Sequence, residues 1–172
     1  MQETIKDALK EFFNRARQTN QRQIDIDPDW LSPCLIDLDK GTWQPVWRDA
    51  DLSNIETALA LTLNDTVKQF YTSCYAPSLD ASFKEHQLTL LQVWNDEDFE
   101  ILQENIIGHL MMKKRLKQTA TIFIASTSDD NFLISVKNTS GEVVLEPVGK
   151  EPVVVLADSL PEFINRLTPS AE

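Results

Sequence analysis

The stretch from Leu88 to Ala125, LTLLQVWNDEDFEILQENIIGHLMMKKRLKQTATIFIA, constrains the fold of this chain more than any other. Leu88 to Trp94 is apolar but for one Thr and one Gln, the pattern of a mostly buried strand, and Asn95-Asp96 then changes the local chemistry to helix capping. Asn95 with Asp98 three residues on makes a capping-box-like start, and Asp96, Glu97, Asp98 and Glu100 sit at the positive end of the helix macrodipole. Phe99, Leu102, Ile106 and Leu110 recur at helical spacing as one apolar stripe, while Lys113, Lys114, Arg115 and Lys117 gather at the negative end. Thr121 to Ala125 is strand-like again, so the stretch reads strand, long helix, strand. Gly108 lies inside the helix, where it costs about 1 kcal/mol against Ala, and a close approach of a neighbour to the backbone is expected there.

The remaining segments supply material to cover that frame. Residues 4 to 17 place Ile5, Ala8, Leu9, Phe12, Phe13 and Ala16 on one helical face. Ser53 to Glu56 is a second capping box, opening a helix through Ile55, Leu59 and Leu63, with a break at Asn64-Asp65 before a helical stretch through Val67 and Phe70. Leu79, Ala81 and Phe83 alternate, and Lys84-Glu85-His86 can turn them into a hairpin with the Leu88 strand. Beyond the central helix, strands at 122–125, 132–136, 142–147 and 153–156 follow with short links, so antiparallel pairing is the economical choice. Asp158-Ser159 caps a last helix with Leu160, Phe163, Ile164 and Leu167 on its apolar face. Trp30, Trp43 and Trp47 fall in a Pro-punctuated region of short strands and turns, either covering a small core or standing at a binding edge. The expectation is one α+β domain over residues 1–172, a mainly antiparallel sheet with helices packed against it.

Charge and motifs narrow the function. The net charge is -11, from 27 acidic and 16 basic side chains. That balance argues against nucleic acid and against direct docking on an anionic membrane leaflet or insertion into lipid, and it favours a basic partner, although acidity also serves solubility. No apolar run is long enough for a secretory leader or a membrane span, so a cytoplasmic chain is expected, with Cys34 and Cys74 as buried thiols. Asp25, Asp27, Asp29, Asp37 and Asp39 precede Lys40 with no basic residue among them, which reads either as half of an acidic surface or as a solvated loop. Asp96, Glu97, Asp98, Glu100 and Glu104 form a second cluster. Helix-dipole complementarity accounts for the first four, and Glu104 requires a surface pair or a partner. Four glycines cannot build a phosphate-cradling loop or a dinucleotide fingerprint. His86 and His109 have no ligand-spaced companions, so neither a metal nor a cofactor is expected, and His109 reads as structural. A hydrolase using two carboxylates stays a weaker alternative to a non-enzymatic binding protein.

Particular blocks carry a family likeness. SPCLI at Ser32–Ile36, WQP at Trp43–Pro45, LTLLQVWNDEDFEILQENIIGHL at Leu88–Leu110, KRLK at Lys114–Lys117, FIA at Phe123–Ala125 and SGEV at Ser140–Val143 resemble, in order, the bacterial SecY-interacting Syd family. The ending LADSLPEFINRL is similar to the close of the wider SUKH superfamily, which includes binding and immunity proteins. The resemblance implies a SUKH-like α+β domain in the cytoplasm, peripheral on the cytoplasmic side of the cell inner membrane. It implies a regulatory role in protein translocation, monitoring or restraining uncomplexed or abnormal SecY through an acidic concave face, and no enzymatic activity. Glu97, Asp98 and Glu104 carry over from the central block, and Glu142 from the SGEV match. Asp96 and Glu100 stand in the same block, whereas Asp25, Asp27 and Asp29 lie outside the matches and are placed on that face by charge alone. Basic cytosolic loops of SecY would supply the complementary charge. The alternative binding reading is a SUKH-type immunity protein occupying a basic toxin nuclease.

Overall fold

Alternation builds the sheet. In the computed structural model, which describes residues 4–171, β5 (Leu79–Phe83) and β6 (His86–Leu90) form the expected hairpin, paired from Leu79↔Leu90 to Phe83↔His86. Its turn is the two residues Lys84-Glu85, with Lys84 in the left-handed region at φ 53°. Across the central helix the meander continues through β7 (Thr121–Thr127), β8 (Phe132–Lys137), β9 (Val143–Pro147) and β10 (Val154–Ala157), every neighbour antiparallel. The seven-stranded order is β10-β9-β8-β7-β6-β5-β11, where β11 is the unanticipated pair Thr168–Pro169 lying against β5. Four shorter strands make two small ladders beside it: β1 (Leu35–Asp37) with β2 (Thr42–Trp43), and β3 (Val46–Trp47) with β4 (Cys74–Tyr75).

The register sorts side chains onto two faces. Leu79, Ala81, Phe83, Leu88, Leu90, Ile122, Ile134, Val136 and Val143 are buried together with α1 (Ile5–Ala16), α3 (Asp65–Thr72) and α5 (Leu160–Asn165). Phe83 meets Phe163 of α5 with ring centroids 4.9 Å apart. Thr121 and Phe123 of β7 stand opposite Lys137 and Ser135 and share the other face with Val144 and Glu146. There α4 (Asp96–Arg115) lies across the sheet, His109 edge-on to Phe123 at 5.5 Å. Trp43, the largest fully buried side chain, packs edge-on against Phe13 at 5.7 Å, so this Trp covers core.

Capping follows the sequence at two of the three starts where it is expected. Asn95 accepts from the Asp98 N–H at 2.8 Å while the Asp98 carboxylate accepts from the Trp94 N–H at 2.8 Å. Ser159 caps α5 in the same manner, accepting from the Glu162 N–H while the Glu162 carboxylate accepts from the Asp158 N–H, and Asn64, read from sequence as a break, caps α3 by accepting from the Thr66 N–H at 3.0 Å. The box at Ser53–Glu56 does not form. In α2 (Ser53–Leu59) the cap residue is Leu52, Asp51 accepts from the Ser53 N–H, and Glu56 turns away to the Leu63 N–H and Lys68.

Three further expectations change. The strand from Leu88 ends at Leu90, because Gln92 bonds to the Ser78 hydroxyl and the Phe70 carbonyl instead of a ladder partner. Nothing lies within 4 Å of a Cβ placed on Gly108, so no neighbour approaches the helix there. The tight glycine is Gly41, at φ 72°, whose added Cβ would stand 2.2 Å from the Ile24 carbonyl oxygen. Lys113 is not part of an exposed basic end: it is 1% exposed.

Candidate functional site

The arm between Gln23 and Lys40 is held against the start of α4 by backbone carbonyls. The Trp94 indole N–H donates to the Trp30 carbonyl at 2.8 Å, and the Asn95 amide donates to the Leu31 carbonyl at 2.9 Å. At its base the Ile24 N–H donates to the Gly41 carbonyl at 2.9 Å, a closeness that a side chain at 41 would block. Within the arm the Asp27 carboxylate accepts from the Asp29 N–H at 2.9 Å and the Asp27 carbonyl from the Trp30 N–H at 2.9 Å, which closes the turn around Pro28.

These ties leave a cleft of about 400 Å³ bounded by Asp25, Asp27, Trp30, Pro77, Trp94 and Asp98. The aspartate arm and the first turn of α4, assigned to one face from sequence by charge alone, here share one concavity through Asp25, Asp27 and Asp98. Asp96 adjoins it and accepts from the Tyr75 hydroxyl, a bond that, with burial, raises the Tyr75 pKa. The Arg48 guanidinium is sandwiched between the Tyr75 and Phe99 rings, 4.6 and 4.5 Å from their centroids, so one cation is stacked into this acidic end.

The other expected acids are placed as follows. Glu97, Glu100 and Glu104, spaced by three and four residues, run along one exposed stripe of α4, and none forms a salt bridge among the described residues. No surface pair therefore accounts for Glu104. Asp29 is exposed at the tip of the arm's turn. Glu142 stands apart, on the β8–β9 turn, paired with Lys137 at 3.7 Å. That turn is anchored through Asn138 to Ala120, Thr62 and Asn64, beyond the far end of a helix about 30 Å long. Trp30, weighed from sequence as a core cover or a binding-edge residue, walls the cleft, whereas Trp94 as its second wall and the exposed Leu31, Ile36 and Leu38 among the aspartates were not singled out from sequence. The alternation of acid and aliphatic in LIDLD at Leu35–Asp39 was their available signal.

A second polar cluster is buried where α4 crosses the sheet. Glu146 is 0% exposed, and its Oε1 lies 3.2 Å from Lys113 Nζ, 3.1 Å from the Thr121 hydroxyl and 3.5 Å from His109 Nε2. A carboxylate only accepts, so the Thr121 proton goes to Glu146 and the Thr oxygen accepts from His109 Nε2–H at 3.0 Å. Burial, with Lys113 nearby, pushes His109 down to about 4, so the imidazole is neutral. Burial raises the Glu146 pKa, opposed by the Thr121 hydrogen bond and Lys113. Lys113 also donates to the Lys150 carbonyl at 2.7 Å. This cluster fixes α4 to β7 and β9.

Other chemistry finds little support. Cys34 and Cys74 are free, buried thiols, and burial pushes Cys74 up to about 12. Among the described residues no three or more His, Cys, Asp or Glu side chains are placed to hold a metal ion. No described helix is long and apolar enough to cross a membrane.

Comparison with known proteins places the whole arrangement. A family model described as Syd protein (SUKH-2) matches residues 2–169. Protein Syd of Psychromonas ingrahamii is 42% identical over 180 residues, covering 98% of this chain and 98% of that one. Protein Syd of Tolumonas auensis is 45% identical over 173 residues, with 96% and 90% covered. Protein Syd of Yersinia pestis is 44% identical over 142 residues, with 80% and 78% covered.

Proposed function

The chain belongs to the Syd (SUKH-2) family, and from that premise we propose that it is a non-enzymatic binding protein for the translocon subunit SecY. In this reading the acidic end of α4 and the facing arm engage basic cytosolic loops of SecY, restraining or monitoring copies that are uncomplexed or abnormal. The whole chain acts as one domain, peripheral on the cytoplasmic side of the inner membrane through that contact. The observation that supports it most is the cleft joining Asp25 and Asp27 to Asp98, with Glu97, Glu100 and Glu104 exposed beside it and in no salt bridge among the described residues. An even spread of charge gives a weak field, whereas a concave wall of one sign focuses it and accelerates encounter with a basic segment.

The test is the association rate with SecY in detergent as a function of salt. Acidic steering raises the on-rate by about 10-fold to 1000-fold at low salt and fades as the Debye length shrinks from about 8 Å to about 3 Å. Replacing Glu97, Asp98 and Glu104 together by Lys slows association and flattens its salt slope. Glu104→Lys alone is the cleaner probe, because Asp98 also caps the helix. No binding of the unaltered protein to SecY at low salt removes the reading.

A further inference from the structure

We propose that the C-terminal end of α4, together with the β9–β10 loop, is a docking surface for anionic lipid headgroups. The inference goes beyond the SecY contact and does not need it. Lys114, Arg115 and Lys117 are exposed at the helix end, and Lys150 is exposed on the loop. The two segments are joined by the Lys113 Nζ bond to the Lys150 carbonyl at 2.7 Å and the Gln118 amide bond to the Gly149 carbonyl at 2.7 Å. Interleaved with the four cations are apolar side chains left open to solvent: Met111 at 57%, Leu116 at 46%, Val148 at 50% and Val153 at 59% exposure. None of the four cations forms a salt bridge among the described residues. The adjacent Glu151 is taken up by the Thr119 N–H at 2.6 Å and hydroxyl at 2.8 Å.

Helix-dipole complementarity explains Lys114 and Arg115 but not the rest. Lys117 lies beyond the helix and Lys150 on another element. Lys117 also holds φ 59° at a helix end closed by the Gln118 N–H bond to the Lys113 carbonyl, a position where glycine is favoured. Cations mixed with protruding aliphatics on two projecting segments, beside an apolar groove of about 310 Å³ between Leu59, Leu61, Leu110 and Met111, match a lipid interface that takes both anionic headgroups and apolar side chains better than an acidic protein. The net charge of -11 does not forbid this. Glu104 and Lys114 are about 15 Å apart along the helix, roughly two Debye lengths at physiological salt, so a surface at one end senses little of the other.

The experiment is flotation of the full chain with protein-free vesicles of phosphatidylglycerol and phosphatidylethanolamine, against vesicles of phosphatidylcholine, at low and high salt. Binding is expected on the anionic vesicles at low salt, lost at 1 M salt and absent on phosphatidylcholine. Lys117→Gly alone should lower the partition about fivefold, with the melting temperature held or raised, which separates loss of contact from loss of fold. Lys114→Gln, Arg115→Gln and Lys117→Gly combined should lower it about 100-fold. Replacing Glu97, Asp98 and Glu104 by Lys should not weaken it. The proposal is overturned by absent binding to anionic vesicles at low salt, by equal binding to phosphatidylcholine, or by unchanged partition of the triple variant. Capture of polyglutamate through the same residues, with the vesicles ignored, also overturns it and assigns the patch to an acidic protein.

Discussion

Lys113→Met tests whether the buried ion pair fastens α4 to the sheet. Lys113 and Glu146 are 1% and 0% exposed, 3.2 Å apart. Removing one partner of such a pair costs about 3 to 5 kcal/mol, because the other is left buried and charged. The protein can limit that loss by taking up a proton. From an ordinary carboxyl value of 4.5, protonating Glu146 at pH 7 costs about 3.4 kcal/mol, 1.36 kcal/mol for each pH unit. At pH 5 the same rescue costs only about 0.7 kcal/mol. His109 offers a second route. Its folded value near 4 lies below the usual 6.5, so wild-type stability falls as pH drops through that window. Without Lys113 one cause of that depression is gone, and a protonated His109 can pair with Glu146 from 3.5 Å. Both routes consume a proton, so the penalty of Lys113→Met must shrink as pH falls. Urea unfolding of wild type and variant, followed by tryptophan fluorescence, should give a difference of about 3 to 5 kcal/mol at pH 8 and about 1 kcal/mol at pH 5. Equal losses at both pH values, or a loss below about 1 kcal/mol at pH 8, would refute the reasoning.

Two glycines give further tests of opposite sign. Gly108→Ala has open space and helical backbone around it, so it should stabilise by about 0.5 to 1 kcal/mol, read as a higher urea midpoint with unchanged slope. Gly41→Ala should lower the midpoint by more than that gain, since φ 72° is strained for Ala and its Cβ would meet the Ile24 carbonyl; it should also weaken the SecY contact proposed above by displacing the Asp25–Asp27 arm.

What sequence revealed was local. The caps at Asn95 and Ser159 act within three residues of themselves, and the alternation at Leu79–Phe83 needs only its own hairpin partner. The box at Ser53 failed because Glu56 found a distant alternative in Leu63 and Lys68. Lys113 read as one more cation at a helix end, since nothing near it in sequence announces Glu146 on β9. The candidate site was half legible: both acidic clusters stood out, but their union rests on side chains of Trp94 and Asn95 meeting main-chain carbonyls of Trp30 and Leu31. A carbonyl is offered by every residue, so such a contact leaves no mark in the sequence.

The junction of β6 with β7 bears on how the chain folds. On one side β5 and β6 close through a two-residue turn, and on the other β7, β8 and β9 close through short turns of their own. Each set can zip from its own turn. The two sets meet along the paired positions Leu88↔Thr127, Thr89↔Ser126 and Leu90↔Ala125, extended by the Leu91 N–H bond to the Ile124 carbonyl and the Ser128 N–H bond to the Gln87 carbonyl, after an excursion through α4 of roughly 30 residues. Closing that excursion rather than the two-residue turn of the β5–β6 hairpin costs about 2.4 kcal/mol in chain entropy. The register of this seam is therefore the late, slow event of assembly, and amide exchange that requires parting the sheet should begin there, with α4 as the strap across the opening.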